Sequence, residues 1–227
     1  MNLVVRRQPK TPRSTARANG DATRQRLLDA AEALFGEQTF ATVSLRDITR
    51  KAGVAVALAS YHFGSKEAMF RECVARRAAI LNVLRRERLP RLRPDASAAD
   101  ILDAFMRPLF EQIRHGEPGW PAYLRIVAKL GYEAQWLALL REHFDETAQI
   151  FVARLALALP DVPRPALLRG FAMTLDAMLQ TLSRNRRIDS LSAGVVSADD
   201  LDAAYEAMMR FCVAGLRGLG GSDAPAV

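Results

Sequence analysis

Three histidines and two cysteines are the side chains of this sequence that most often carry catalytic or metal chemistry. His62, His115 and His143 lie outside any recognisable nucleophile or metal motif, and no phosphate-binding glycine loop is present. Cys73 and Cys212 are far apart, at apolar positions of predicted helices, without CxxC spacing. The sequence therefore predicts no catalytic residue, no metal site and no cofactor, and it indicates reduced core thiols.

A different chemistry is indicated by a short run of small apolar and hydroxyl side chains, Val56, Ala57, Leu58, Ser60 and Tyr61. Alanine and valine can contact a thymine methyl group, and a serine hydroxyl can bond to either edge of a base pair. A single helix fits the DNA major groove, which is about 12 Å wide. Because the run contains no arginine or asparagine, we expect only modest direct reading of bases.

Two short helices must position this run. Ser44 is a good N-cap, and Asp47 can bond back to its amide, so a first helix is predicted from Leu45. Gly53 can adopt the left-handed conformation that ends this helix near Ala52. The second helix then follows over residues 56–62, and the whole pattern is typical of a helix-turn-helix.

The segments TRQRLLDAAEALFGEQTFATVSLRD, ITRKAGV and YHFGSKEAMF closely resemble the TetR-type bacterial transcriptional regulators. The resemblance implies double-stranded operator DNA as a partner and a set of DNA-contacting positions near the motif. For Tyr61 and His62 the alternative to a DNA contact is aromatic packing against Phe63 and Phe70. At Ala55, where the family often has serine, a capping hydroxyl is missing. The implied positions are Thr42, Ser44, Arg46, Tyr61, His62 and Lys66.

The net charge of +7 is concentrated at the start of the chain. Residues 1–26 hold seven arginines and lysines and one acidic residue, Asp21. We predict a basic flexible arm over residues 1–22 that is attracted to phosphate by counterion release, with a solvated terminus as the alternative. The helix-turn-helix domain is predicted over residues 23–68, and its first helix over Thr23–Phe35 with Asp21 as the cap.

The remainder of the chain is predicted to be one larger helical domain. A helix from Ser65 to about Arg88 belongs to both domains, and its arginine-rich end is predicted to be a solvated terminus. We predict an effector-binding and dimerisation domain over residues 69–220, followed by a tail over residues 221–227. Further helices are predicted over residues 100–113, 122–130, 136–159 and 166–182, and from Asp199 or Asp200 to about Leu219.

Aromatic and methionine residues recur at helical spacing in this larger domain. Each taken singly is more often plain core, but together they fit an apolar cavity between helices that binds a small lipophilic or aromatic effector. The candidate ligand-binding residues are Phe105, Trp120, Tyr123, Leu124, Val127, Trp136, Met173, Asp176 and Met178.

The last two long helices carry leucine, methionine and phenylalanine on more than one stripe. This pattern favours a homodimer built through these helices, and two half-sites about 34 Å apart on DNA require such a dimer. No apolar run approaches the ~20 residues of a membrane span, and the start lacks a signal-peptide core, so we expect a cytoplasmic protein without membrane contact.

Taken together, these features predict an all-α protein with an N-terminal three-helix DNA-binding domain and a larger helical effector domain. Its predicted function is that of a ligand-responsive transcriptional repressor, which binds a palindromic operator as a dimer and is released by the effector. Two alternatives remain open: a basic nucleic-acid-binding protein without sequence preference, and a helical enzyme.

Overall fold

The structure is a computed structural model that describes residues 12–220. Those residues form an all-helical fold with no β-strand among them, which confirms the predicted fold class. Within the described chain, no helix combines the length and apolar character needed to cross a bilayer. The helices are α1 (Pro12–Glu37), α2 (Leu45–Ala52), α3 (Val56–Phe63), α4 (Lys66–Arg88), α5 (Ala98–His115), α6 (Trp120–Leu130), α7 (Leu137–Leu140), α8 (Glu146–Ala158), α9 (Arg164–Leu182), α10 (Arg187–Leu191) and α11 (Leu201–Gly218).

Two compact units make up the chain, and the division falls inside α4, between Cys73 and Val74. In the first unit, α1, α2 and α3 pack on one another. The Phe35 and Phe70 rings meet edge to face, with their centroids 4.9 Å apart. This apolar core holds the helix-turn-helix together, and its buried members include Leu27, Ala31, Phe35, Val43, Ile48, Ala59, Phe63, Met69 and Phe70.

The ends of the short helices follow from local sequence, as predicted. The Ser44 hydroxyl accepts from the Asp47 amide, and the Asp47 carboxylate accepts from the Ser44 amide, which completes a capping box. Gly53 ends α2 with φ of 65°, a left-handed conformation that favours glycine. Ala55 provides no side-chain cap for α3, whereas the Ser65 hydroxyl accepts from the Ala68 amide at the start of α4.

The first helix begins earlier than predicted. It runs from Pro12, so Asp21 lies within it and is not its cap, and residues 12–22 are helical rather than a flexible arm. Proline is favoured at a helix start, and the single Gly20 costs only about 1 kcal/mol relative to alanine, which explains why the helix continues. The remaining part of the predicted arm, residues 1–11, lies outside the described residues, as does the predicted tail over residues 221–227.

The second unit packs α9 against α11 and α6, and α5 against α8 and α11. Ser97 and Asp100 form a second capping box, at the start of α5. Gly170 lets α9 approach α11 closely, because a Cβ atom there would lie 2.5 Å from Leu219 Cδ1 and 2.6 Å from Leu216 Cδ2. The core of this unit is formed largely by α5, α9 and α11.

Two helical features of the second unit were not predicted. The single helix predicted over residues 136–159 is observed as one continuous helical run over residues 137–158, in which an unpredicted π-helical turn, Arg141–Asp145, joins α7 to α8. The short helix α10 lies between α9 and α11. Neither feature is visible in the apolar periodicity from which the helices were predicted.

Candidate nucleic-acid interface and effector site

One face of α3 is exposed and carries the residues predicted to enter the major groove. Tyr61 is 82% exposed, Val56 44% and Leu58 38%, while Ala57 and Ser60 are also exposed. The opposite face holds the helix to the core through buried Ala59 and Phe63. The structure thus brings all five groove candidates to one exposed helix with a glycine turn on either side.

The polar candidates before and within α2 are exposed, but two of their hydroxyl groups are engaged within the protein. The Thr42 hydroxyl donates to the Thr39 carbonyl at 3.0 Å, and the Ser44 hydroxyl belongs to the capping box. Arg46 is exposed in the first turn of α2. Arg46 is therefore the candidate of this group best able to contact phosphate directly.

Tyr61, His62 and Lys66 have three different environments. The Tyr61 and His62 rings lie edge to face with centroids 5.1 Å apart, and His62 is half-buried beside Phe63. The Lys66 ammonium donates to the Phe40 carbonyl at 2.7 Å and to the Val43 carbonyl at 2.8 Å. The structure therefore gives Lys66 an internal role in closing the turn before α2, and leaves Tyr61 as the most accessible of the three.

Most candidate effector residues are buried in the core of the second unit, but two are not. Met173 is 67% exposed and Asp176 is also exposed, because the buried stripe of α9 runs through other positions. The prediction that Met173 and Asp176 belong to the wall of an internal cavity is therefore wrong. The buried candidates are Phe105, Trp120, Tyr123, Leu124, Trp136 and Met178, and Val127 is half-buried.

Arg85 is a charged residue of this interior that the sequence analysis did not single out. The arginine-rich end of α4 was expected to be solvated, yet Arg85 is only 3% exposed. Its Nε donates to the Phe105 carbonyl at 2.9 Å, and its guanidinium lies 3.7 Å from the centroid of the Phe105 ring. Burial lowers the pKa of Arg85 to about 9, so the group is still charged at neutral pH. The available signal was its position one turn after Leu81 on the buried stripe of α4.

The fold and the exposed face of α3 define a helix-turn-helix DNA-binding regulator with a second, all-helical unit. A family model described as bacterial regulatory proteins of the tetR family matches residues 27–73. A second model, described as the tetracyclin repressor-like C-terminal domain, matches residues 103–215. The chain belongs to the TetR family and is a ligand-responsive DNA-binding transcriptional regulator.

The chain is also similar to individual proteins. The HTH-type transcriptional regulator BetI of Rhizobium meliloti (strain 1021) is 24% identical over 182 residues, which cover 80% of this chain and 88% of BetI. A Pseudomonas aeruginosa PAO1 protein described as a transcriptional regulator shares the fold with a TM-score of 0.60 at 19% identity, over 89% of this chain and 92% of its own. The TetR family regulator PfmR from Thermus thermophilus does so with a TM-score of 0.54 at 20% identity, over 85% of this chain and 98% of its own.

Proposed function

We propose that this regulator is a repressor whose dimer binds a palindromic operator and releases it when a small lipophilic effector binds. The exposed face of α3 is the single observation that carries the DNA-binding part. Its Tyr61 side chain extends into solvent next to Ser60, where it can reach a phosphate oxygen while Val56, Ala57 and Leu58 meet the bases.

The proposed dimer forms through α9 and α11. The groove beside these helices has a volume of about 710 Å³ and is bordered by exposed apolar side chains, including Phe211 and Leu191. Exposed apolar surface of this kind marks association sites in proteins. A twofold dimer presents two copies of α3, as a palindromic operator requires.

The proposed effector site lies in the interior of the second unit, within the domain proposed over residues 69–220. Pockets between helices that are lined by apolar side chains and a few polar groups are typical small-molecule sites. Because α4 contributes residues to both compact units, a shift of this helix is the proposed route from effector to α3. A coupling free energy of about 1–3 kcal/mol would change operator affinity about 5- to 150-fold.

Operator binding by Tyr61→Ala tests the DNA-binding part of this proposal. Fluorescence anisotropy would measure the affinity for duplexes from the promoter beside the gene that encodes this protein. Scrambled duplexes would be measured in the same way, and both at several salt concentrations. Loss of a hydrogen bond to a charged phosphate predicts at least about tenfold weaker operator binding. Tyr132→Ala is the matched control, because Tyr132 is 78% exposed in the second unit and should leave binding unchanged.

Two outcomes would contradict the proposal. Equal effects of Tyr61→Ala and Tyr132→Ala would remove α3 from the interface. Equal affinity of the wild-type protein for native and scrambled duplexes at moderate salt would favour a nucleic-acid-binding protein without sequence preference.

A further inference from the structure

Arg85 is a buried cation without a carboxylate partner in the described part of the chain. It lies on the buried face of α4, 3% exposed, and its contacts are the Phe105 carbonyl and the Phe105 ring. Both contacts leave the charge uncompensated, because a carbonyl and an aromatic face are neutral groups. A buried charge without a counterion is strongly unfavourable, so an anion bound beside Arg85 would stabilise it.

Other arginines of the same unit show that their charges are balanced. Arg88 pairs with Glu111 at 2.7 Å, Arg107 pairs with Asp103 at 2.7 Å, and Arg114 pairs with Asp202. Arg77, which is 4% exposed, has the Glu117 carboxylate at 3.5 Å and the Trp120 ring at 5.0 Å. The unit thus supplies an acid even to its other deeply buried arginine, and Arg85 differs from these four in lacking one.

Asn82 adds a second polar group one turn before Arg85 on the same helix. Its Nδ2 donates to the His143 carbonyl at 2.6 Å, while its buried Oδ1 has no hydrogen-bond partner among the residues described. His143 belongs to the π-helical turn, a distortion that is frequent at functional sites. A ligand at this point would meet an acceptor on Asn82 as well as the guanidinium.

Apolar and aromatic groups complete the surroundings of Arg85. Phe105 lies against its guanidinium, and the Tyr123 side chain is close enough to influence its charge. A guanidinium whose Nε is already bonded still presents terminal N–H groups to an oxyanion. In such surroundings a single negative charge is less costly to desolvate than the double charge of a phosphate monoester.

We propose that Arg85 binds the carboxylate of an organic acid whose remaining part is apolar, and that this acid is the effector. The proposal rests on the proposed function, because it assigns a chemical class to the effector of that same site. The bound carboxylate provides the counterion that the chain lacks, and Asn82 Oδ1 accepts a hydrogen bond from a hydroxyl or amide of acids that carry one.

Thermal unfolding of the full-length protein tests whether the buried charge of Arg85 lacks a counterion when no ligand is bound. If Arg85 awaits an external anion, Arg85→Met removes an unbalanced buried charge and raises the unfolding midpoint of the ligand-free protein. Arg77→Met is the matched control and should lower the midpoint, because it removes the ion pair with Glu117 and the contact of the guanidinium with the Trp120 ring. A fall in the midpoint for Arg85→Met like that for Arg77→Met would overturn the proposal, since it would assign Arg85 a purely structural role.

Binding probes test the ligand class. Decanoate, 4-butylbenzoate and phenylacetate would be compared with 1-decanol, 4-butylbenzamide and phenylacetamide by calorimetry and by operator release. At least one carboxylate should bind the wild-type protein at least about tenfold more tightly than its neutral counterpart, and Arg85→Met should abolish that preference. Arg85→Lys keeps the charge but not the planar guanidinium that can bond both carboxylate oxygens. This variant should retain a weaker preference for the carboxylate.

The outcomes separate this inference from the function on which it rests. If the carboxylates and their neutral counterparts bind equally, or if Arg85→Met keeps the preference, the inference is wrong while operator binding stands. If the wild-type protein shows no preference for its promoter, the proposed function fails whatever the calorimetry shows.

Discussion

In the first unit, the Lys66 ammonium is bonded to neutral groups, and its partial exposure keeps the free-energy cost of desolvation low. It is half-buried, so water still reaches part of it, and its ammonium donates to the carbonyls of Phe40 and Val43. The same ammonium lies 4.3 Å from the centroid of the Phe40 ring. These contacts tie the start of α4 to the turn that precedes α2, so the residue supports the helix-turn-helix from within.

Lys66→Met should destabilise the protein through this internal contact. Hydrogen bonds to a charged group contribute about 1.5–3 kcal/mol, so we expect a loss of that order in the free energy of unfolding in urea. Lys51→Met is the control, because Lys51 is exposed on α2 and its loss should change stability by less than about 0.5 kcal/mol.

The salt dependence of operator binding distinguishes this role from a phosphate contact. Each lost phosphate contact lowers the slope of log affinity against log salt by about 0.9. An internal role predicts an unchanged slope for Lys66→Met, and a decrease of that size would assign Lys66 to the DNA interface instead.

Two helices of this protein begin with the same device, a serine and an aspartate three residues apart. In each capping box the serine hydrogen bonds lower the pKa of the aspartate, Asp47 at α2 and Asp100 at α5. The ionised carboxylate is the form that holds the cap. Its contribution to stability is therefore present above the unfolded pKa near 3.8, and is lost as the pH falls through the lower folded value.

Ser44→Ala and Ser97→Ala form a matched pair that separates stability from DNA binding. Each removes one N-cap and should cost about 1 kcal/mol in the free energy of unfolding. Only Ser44→Ala alters the helix-turn-helix, so only it should weaken operator binding in anisotropy measurements at equal folded concentration. Comparable weakening by Ser97→Ala would show that global stability, rather than the local geometry of α2, controls affinity.

At the scale of the whole molecule, the second unit leaves a broad apolar surface uncovered. Phe211 on α11 is 74% exposed and Met173 on α9 is 67% exposed, although both helices also contribute to the buried core. Full exposure of such side chains is costly in a monomer, at roughly 25 cal/mol per Å² of apolar surface left in water. A second copy of the chain is the occupant that the family assignment supports.

Phe211→Glu should convert the proposed dimer to a monomer. A charge placed within an apolar interface opposes burial by the partner, so light scattering should give the monomer mass and operator affinity should fall with it. Leu157→Glu is the control, since Leu157 is 77% exposed on α8 and should leave the dimer intact. A Phe211→Glu protein that remains dimeric and binds its operator normally would place the interface elsewhere.

Features that depend on neighbouring residues were predictable from the sequence. The capping box of Ser44 and Asp47 and the left-handed Gly53 arise from contacts within a few residues, and the structure shows both as predicted. The exposed face of α3 has the same origin, because the helical period places Ala59 and Phe63 on the face opposite Tyr61. The start of α1 differs from the prediction, because Asp21 resembles an N-cap in the sequence but lies inside a helix that begins at Pro12.

By itself, the sequence determined the all-helical fold, the helix-turn-helix and the family, because caps, glycine turns and helical periodicity are local properties. The tertiary structure alone decided that Arg85 is buried while Met173 and Asp176 are exposed. A helix with apolar residues on several stripes has no unique inner face until distant helices pack against it. A long arginine side chain can likewise reach water or the core, and the surrounding helices determine which it does.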